Sequence, residues 1–234
     1  MSKLQIRALI CTVCCILIPM TAGSDFNSGL DAYKNKEFSM AFEEWKPLAK
    51  KGDPYAQSNL GVMYSQGIGV PIDYKTAIMW WKRAAKQGHA KARYNLGVMY
   101  QNGRGVPINF SKAAEWYKLA AEQGVTKAQF NLAVMLDHGE GISVDKKLAF
   151  KWYYMAAAHR DAQAMTNLGV LYAMGDGINE DFIEAYKWGN LGSANGNNNG
   201  AKLRDLLEQK MTIKQIEEAQ ERGRECIKND YKNC

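Results

Sequence analysis

The run Asn59-Leu60-Gly61-Val62-Met63-Tyr64 returns as Asn95-Leu96-Gly97-Val98-Met99-Tyr100, as Asn131-Leu132-Ala133-Val134-Met135-Leu136 and as Asn167-Leu168-Gly169-Val170-Leu171-Tyr172. The step is 36 residues each time, with no insertion. A chain locked to one step of this length folds as a stack of equivalent supersecondary units. One unit cannot bury its own apolar face, so its neighbours must cover it. Further columns keep the register: Ala56, Ala92, Ala128 and Ala164; Ala77, Ala113, Ala149 and Ala185; Trp80, Trp116, Trp152 and Trp188. Paired glycines recur as well, at 67/69, 103/105, 139/141 and 175/177.

Each unit reads as two helices. Ala56, Leu60 and Tyr64 share one face at helical spacing, with Met63 beside them. The glycine pair ends this first helix, since glycine accepts the left-handed conformation that closes a helix. Asp73, Asn109, Asp145 and Asp181 follow in one column and are expected to cap the second helix. That helix buries Ala77, Trp80 or Trp81, Ala84 and Ala85 and stops near Gly88, Gly124 and Gly196, with Arg160 in the third unit. The Asn59 column places a poor helix former mid-helix four times. It reads as a buried amide bond holding the turn rather than as a ligand contact. The expected fold is an all-α, right-handed solenoid with units at residues 53–88, 89–124, 125–160 and 161–196.

The ends are atypical, as a repeat array requires. Residues 24–52 form a partial unit punctuated by Pro47 and Pro54, and residues 197–234 form a closing cap. In the cap, Asn197 to Gly200 reads as a polar linker. Helices follow at about 201–209 and 212–228, with Thr212 and Gln215 in capping-box positions. Residues 1–23 have the layout of a secretory signal: Lys3 and Arg7, an apolar run from Ala8 to Met20, then Thr21-Ala22-Gly23. Periplasmic or secreted localisation is expected, with no membrane span after its removal. Cys226 and Cys234 are then the remaining cysteines, an even pair suited to a disulfide in an exported protein. They stand too far apart on a straight helix to bond, so the chain must turn between them, at Asn229-Asp230.

Taken together, Ala-x-x-Asn-Leu-Gly-x-Met-Tyr, the glycine pair, the capping Asp and the Lys-Ala-x-x-Trp segment closely resemble the Sel1-like repeat, a subclass of tetratricopeptide-like solenoids. The resemblance is strong over residues 53–196 and partial over 25–52. The tail from Met211 to Gln220 is similar to the ending of bacterial members. The resemblance implies a scaffold or adaptor for protein partners. One exported branch of the family carries a disulfide in nearly every repeat and is associated with β-lactam binding or hydrolysis. The four full repeats here contain no cysteine. A β-lactam- or cell-wall-binding enzyme is therefore the alternative reading, and a quality-control adaptor in a eukaryotic secretory lumen a third. The sequon Asn109-Phe110-Ser111 would serve the third.

Composition narrows the choice of partner. Of 30 basic residues, Lys3 and Arg7 fall in the signal-like segment, leaving 28 against 24 acidic ones, a net charge near +4. That surplus is too dispersed for nucleic acid, which wants a dense basic stripe. The three histidines, His89, His138 and His159, occupy three different columns, and no metal-spaced Cys or His pair occurs. The glycine turns lack the lysine and the strand of a phosphate loop. No catalytic residue, metal or cofactor is assigned.

In such solenoids the first helices line the concave side, where residues vary between repeats. One varying stripe holds Ser58, Val62 and Ser65, then Tyr94, Val98 and Gln101, then Phe130, Val134 and Asp137, then Thr166, Val170 and Ala173. Beside it run Gln57, Arg93, Gln129 and Met165. Its centre is apolar and aromatic and its edge polar, which is how peptide-binding surfaces are built. Tyr94 and Phe130 are expected either to anchor a peptide or helix, with Arg93 and Gln129 adding polar contacts, or to pack between neighbouring first helices. The constancy of Val62, Val98, Val134 and Val170 points to partial burial for that column.

Overall fold

The computed structural model describes residues 25–232 and 234. The signal-like segment at 1–23 lies outside the described residues. Among these there are twelve α-helices and no strand. The partial unit supplies α1 (Phe26–Lys34) and α2 (Phe38–Lys51). The four repeats supply α3 (Pro54–Gln66) and α4 (Tyr74–Lys86), α5 (Ala90–Asn102) and α6 (Phe110–Ala121), α7 (Thr126–His138) and α8 (Lys146–Ala158), and α9 (Ala162–Met174) and α10 (Phe182–Ala194). The cap is α11 (Asn198–Glu208) and α12 (Ile213–Lys228). Each helix from α1 to α10 packs on the next in sequence, and α11 and α12 both pack on α10, giving an all-α helical repeat solenoid. No helix among the described residues is long and apolar enough to cross a membrane.

Short polar residues set the helix starts. Asp73, Asn109 and Asp145 accept from the backbone N–H three residues on, and Asp181 from those of Ile183 and Glu184. Each such cap stabilises by about 1 kcal/mol. Among the first helices, Asp53, His89 and Asp161 cap by side chain, whereas Val125 cannot. The glycine pairs divide two tasks. Gly103 closes α5 at φ 67°, a left-handed conformation costly for any residue with a Cβ. Gly105 also sits against the start of α4, where a methyl group would lie 3.0 Å from the Tyr74 carbonyl carbon. The second glycine of each pair is thus a contact between units.

Small-to-large packing joins the helices within a unit. Gly61 faces Trp81, and Gly97 faces Tyr117, so closely that a methyl group at either would lie 2.6 Å from a ring carbon. The deepest aromatic column is therefore Trp45, Trp81, Tyr117 and Tyr153, all buried. The Trp80 column is less uniform: Trp80 and Trp188 are buried, Trp116 and Trp152 only half so.

Two expectations at the ends need correction. Pro47 lies inside α2 and does not interrupt it, and Pro54 occupies the first turn of α3, where its missing N–H costs nothing. Asn198 to Gly200 form the first turn of α11, capped by Asn197, and are not a linker. Gly189 and Gly192 leave α10 unbroken. Their lack of side chains lets α9 and α11 close on it: a methyl at Gly192 would meet Thr166, and one at Gly189 would meet Gly200 and Leu203.

Beyond α12 the chain reverses through Asp230 and Tyr231, both at positive φ, and Cys226 and Cys234 are joined with Cα atoms 5.0 Å apart. Thr212 and Gln215 form a full capping box at the other end of α12. The returning tail packs on the fourth unit. Tyr231 is buried, and its hydroxyl accepts from Asn195 Nδ2 at 3.0 Å. Arg160 Nη2 donates to Asp230 at 2.6 Å and stacks over the Tyr231 ring. These contacts hold Arg160 at φ 62°, where the other units have glycine. Closing so short a loop stabilises by roughly 2–3 kcal/mol on the chain-entropy account. Cys226→Ser is expected to lower the melting temperature by several degrees. Reductant should produce the same drop in wild type and none in the variant.

Candidate partner-binding groove

A groove of about 1080 Å³ opens over the first helices of the N-terminal half. Phe26 and Leu30 of α1, Val62 of α3 and Tyr94 of α5 give it an apolar floor, and Tyr55, His89, Lys91 and Lys127 stand at its sides. A smaller cleft of about 160 Å³ shares Leu30, Asn59 and Val62 with it and reaches Trp45.

The asparagine column explains why the groove lies at this end. The Tyr117 hydroxyl sits between the Asn131 amide and Gln101 Oε1, to which it donates at 2.7 Å. The Tyr153 hydroxyl accepts from Asn167 Nδ2 at 3.0 Å and donates to Asp137 at 3.3 Å. Burial raises the pKa of both hydroxyls far above the usual tyrosine range, so they stay protonated donors. In the first two units the same register holds tryptophan, whose N–H donates elsewhere. Trp45 Nε1 donates to Phe26 O and Trp81 Nε1 to Ser58 O, at 3.2 and 3.1 Å. Asn59 and Asn95 are thus left half-buried, lining the groove, with no hydrogen-bond partner for their amides among the described residues. All four amides are half-buried rather than buried; the expected bond is made by Asn131 and Asn167 and not by Asn59 and Asn95. The difference is one aromatic residue fourteen positions back.

The stripe read from the sequence is only partly brought together. Tyr94 lines the groove and also packs on Tyr117, ring centroids 5.8 Å apart. Phe130 packs on Tyr153 at 6.0 Å, half-buried and outside the groove lining. Val98 and Val134 are half-buried against the core. Gln101 and Asp137 are engaged by the two tyrosines, and Asp137 also binds Lys146 Nζ at 2.6 Å. Gln129 needs correction: it is 1% exposed and donates to Ala121 O, so it cannot reach a partner. Its Oε1 has no partner among the described residues: His159 stands where Gln87 serves Gln57. Arg93 is spent on the carbonyls of Ala85 and Leu119. Tyr55, Lys91 and Lys127, which sequence reasoning passed over, form a column of their own at the 36-residue step, ending in Gln163. Its variation between repeats was the signal.

The Sel1 repeat signature matches residues 54–89, 90–125, 126–161 and 162–197. The chain belongs to the Sel1 repeat family. A Sel1 repeat protein from Oxalobacter formigenes has 32% identity and a TM-score of 0.74, over 77% of this chain and 74% of its own. The protective antigen c5321 of uropathogenic Escherichia coli, which displays an SLR fold, has 26% identity and a TM-score of 0.57, over 88% of this chain. This chain spans 54% of that antigen's length. No curated protein matches it. Sel1 repeats mediate protein–protein interaction, and the comparisons give no support to the β-lactam reading.

One wall of the groove in this Sel1 repeat chain carries a titratable helix cap. His89 caps α5 by accepting the Ala92 N–H at Nδ1, and its ring stands edge-on to Tyr55 at 5.1 Å. Burial first, then Lys91, lower its pKa below the ordinary 6.5, against a weaker pull from Asp53. The folded state binds this proton less readily than the unfolded chain. The cap's contribution is therefore whole above pH 6.5 and is lost as pH falls through the folded value. Thermal melts at pH 7.5 and 5.0 should show a drop that is smaller in His89→Asp, whose cap stays charged. An equal drop in both would assign the pH dependence to other groups.

Proposed function

We propose that this Sel1 repeat chain is an exported, non-catalytic adaptor. It acts in the periplasm or outside the cell and holds a peptide or a segment of a protein partner in the groove over α1, α3 and α5. The observation that carries this reading is the split asparagine column. Two amides, each with a donor and an acceptor unspent, lie in an apolar concavity, while their two counterparts are tied to tyrosines. Main-chain peptide groups present the complementary pair, and unpaired polar groups beside an apolar floor favour a ligand that satisfies them.

The test is photo-crosslinking in the native host with a reactive phenylalanine analogue at Tyr55, which lines the groove and is 60% exposed. The control position is Lys151, exposed on a second helix. Capture of one partner at 55 alone, abolished by Asn59→Leu with Asn95→Leu, is the expected result. Capture at both positions, or capture that survives the asparagine changes, would place the binding surface elsewhere.

A further inference from the structure

The groove's rim carries a charge that its floor does not account for. Tyr55, Lys91 and Lys127 occupy one repeat position, in the first turns of α3, α5 and α7, and all three are exposed. Neither lysine pairs with a carboxylate among the described residues, and no carboxylate among them lines the groove. Some cations elsewhere are paired, Lys146 with Asp137 and Asp176, Arg160 with Asp230 and Arg222 with Glu184 and Glu218, whereas the groove lining holds two lysines and no acid to offset them. Two ammonium groups without counter-charges at the mouth of a concave site raise the local concentration of anions and fix their orientation.

Resting on the groove reading above, we propose that the occupant is an acidic polypeptide segment. Its Asp or Glu side chains meet Lys91 and Lys127, its main chain meets Asn59 and Asn95, and its apolar side chains face Leu30 and Tyr94. Charge complementarity selects the sign. The floor selects polypeptide over nucleic acid: two lysines are too few to neutralise a phosphate backbone, whereas free amides over an apolar surface suit a peptide.

Three pools of fluorescein-labelled dodecapeptides with equal aromatic and aliphatic content test this. Their polar positions carry Asp and Glu, Ser and Gln, or Lys and Arg. Each is titrated against the full chain by fluorescence anisotropy at low salt, alongside a twelve-nucleotide oligothymidylate. The acidic pool should bind about tenfold tighter than the neutral one, and 0.5 M salt should erode most of that margin. Lys91→Glu with Lys127→Glu, both at exposed positions, should keep the melting temperature and reverse the preference toward the basic pool. Equal binding of the acidic and neutral pools, a preference unchanged by the double reversal, tighter binding of the oligothymidylate than of any peptide, or binding of no pool would each overturn the proposal. Asn59→Leu with Asn95→Leu separates the two readings. If it weakens every pool while the lysine reversal changes nothing, the groove stands and the acidic occupant falls. If it changes nothing, the groove reading falls and the acidic proposal with it.

Discussion

Glu184→Ala is expected to lower the stability of the C-terminal unit by about 3–5 kcal/mol, the largest loss of any single change considered. The reason is Lys187. Its counterparts at positions 79, 115 and 151 are exposed, but in the fourth unit α12 and the returning tail cover it to 1% exposure. The buried ammonium has two oxygen partners, Glu184 Oε2 at 2.6 Å and Cys234 O at 2.7 Å, and it lies over the Trp188 ring. Removing the carboxylate leaves a cation in the interior with the Cys234 main-chain oxygen as its one remaining oxygen partner among the described residues. Arg222 loses its 2.9 Å contact to Glu184 at the same time but keeps Glu218. Adding Lys187→Met to Glu184→Ala should restore much of the loss, since the uncompensated charge goes with it. Urea unfolding of the two variants measures this. A loss below about 1 kcal/mol for the single change, or no recovery in the double one, would show that the Cys234 main-chain oxygen satisfies Lys187 unaided.

Gly61→Ala should destabilise by about 2–4 kcal/mol, against the sign that helix propensity gives. Alanine gains about 1 kcal/mol over glycine in a helix interior. Here the added methyl would stand 2.6 Å from the ring of Trp81, which is itself only 2% exposed. The ring must shift, which strains the packing by about 1–3 kcal/mol. It also takes its N–H from Ser58 O and leaves a buried donor unpaired, costing about 1–3 kcal/mol more. The same column supplies the control. The third unit already has Ala133, opposite a tyrosine whose hydroxyl reaches side chains and not that carbonyl. Ala133→Gly should therefore cost only about 1 kcal/mol of propensity plus a small void. Thermal melts of the pair decide the point: if Gly61→Ala is neutral or stabilising, the indole is free to move and does not set the spacing of α3 and α4.

Much of the architecture is legible in the sequence because the 36-residue step repeats the same local physics four times. The caps at Asp73, Asn109, Asp145 and Asp181, the glycine stops and the Thr212–Gln215 box each follow from residue type and position. The site was less legible because it depends on where the repeats differ and on contacts between helices. Whether Asn95 is bonded or open is decided at position 81, across the interface between α4 and α5. Gln129 looks like an exposed polar neighbour of Phe130 in sequence, yet its carboxamide turns inward to Ala121. The glycines of α10 suggest a weak helix when read locally. They are close-contact surfaces once α9 and α11 are in place.

The tail at residues 230–234 links Arg160, Asn195 and Lys187 to one short closed loop, which clasps the last two units together. No cysteine stands at the other end among the described residues to tie α1 and α2 down. Cooperativity in a stack passes from neighbour to neighbour, so thermal fraying starts at the untied end and advances toward the clasp. The groove lies at that fraying end. A segment seated across α1, α3, α5 and α7 would then act as the missing bookend, and the slowing of amide exchange on binding should spread well past the residues it touches.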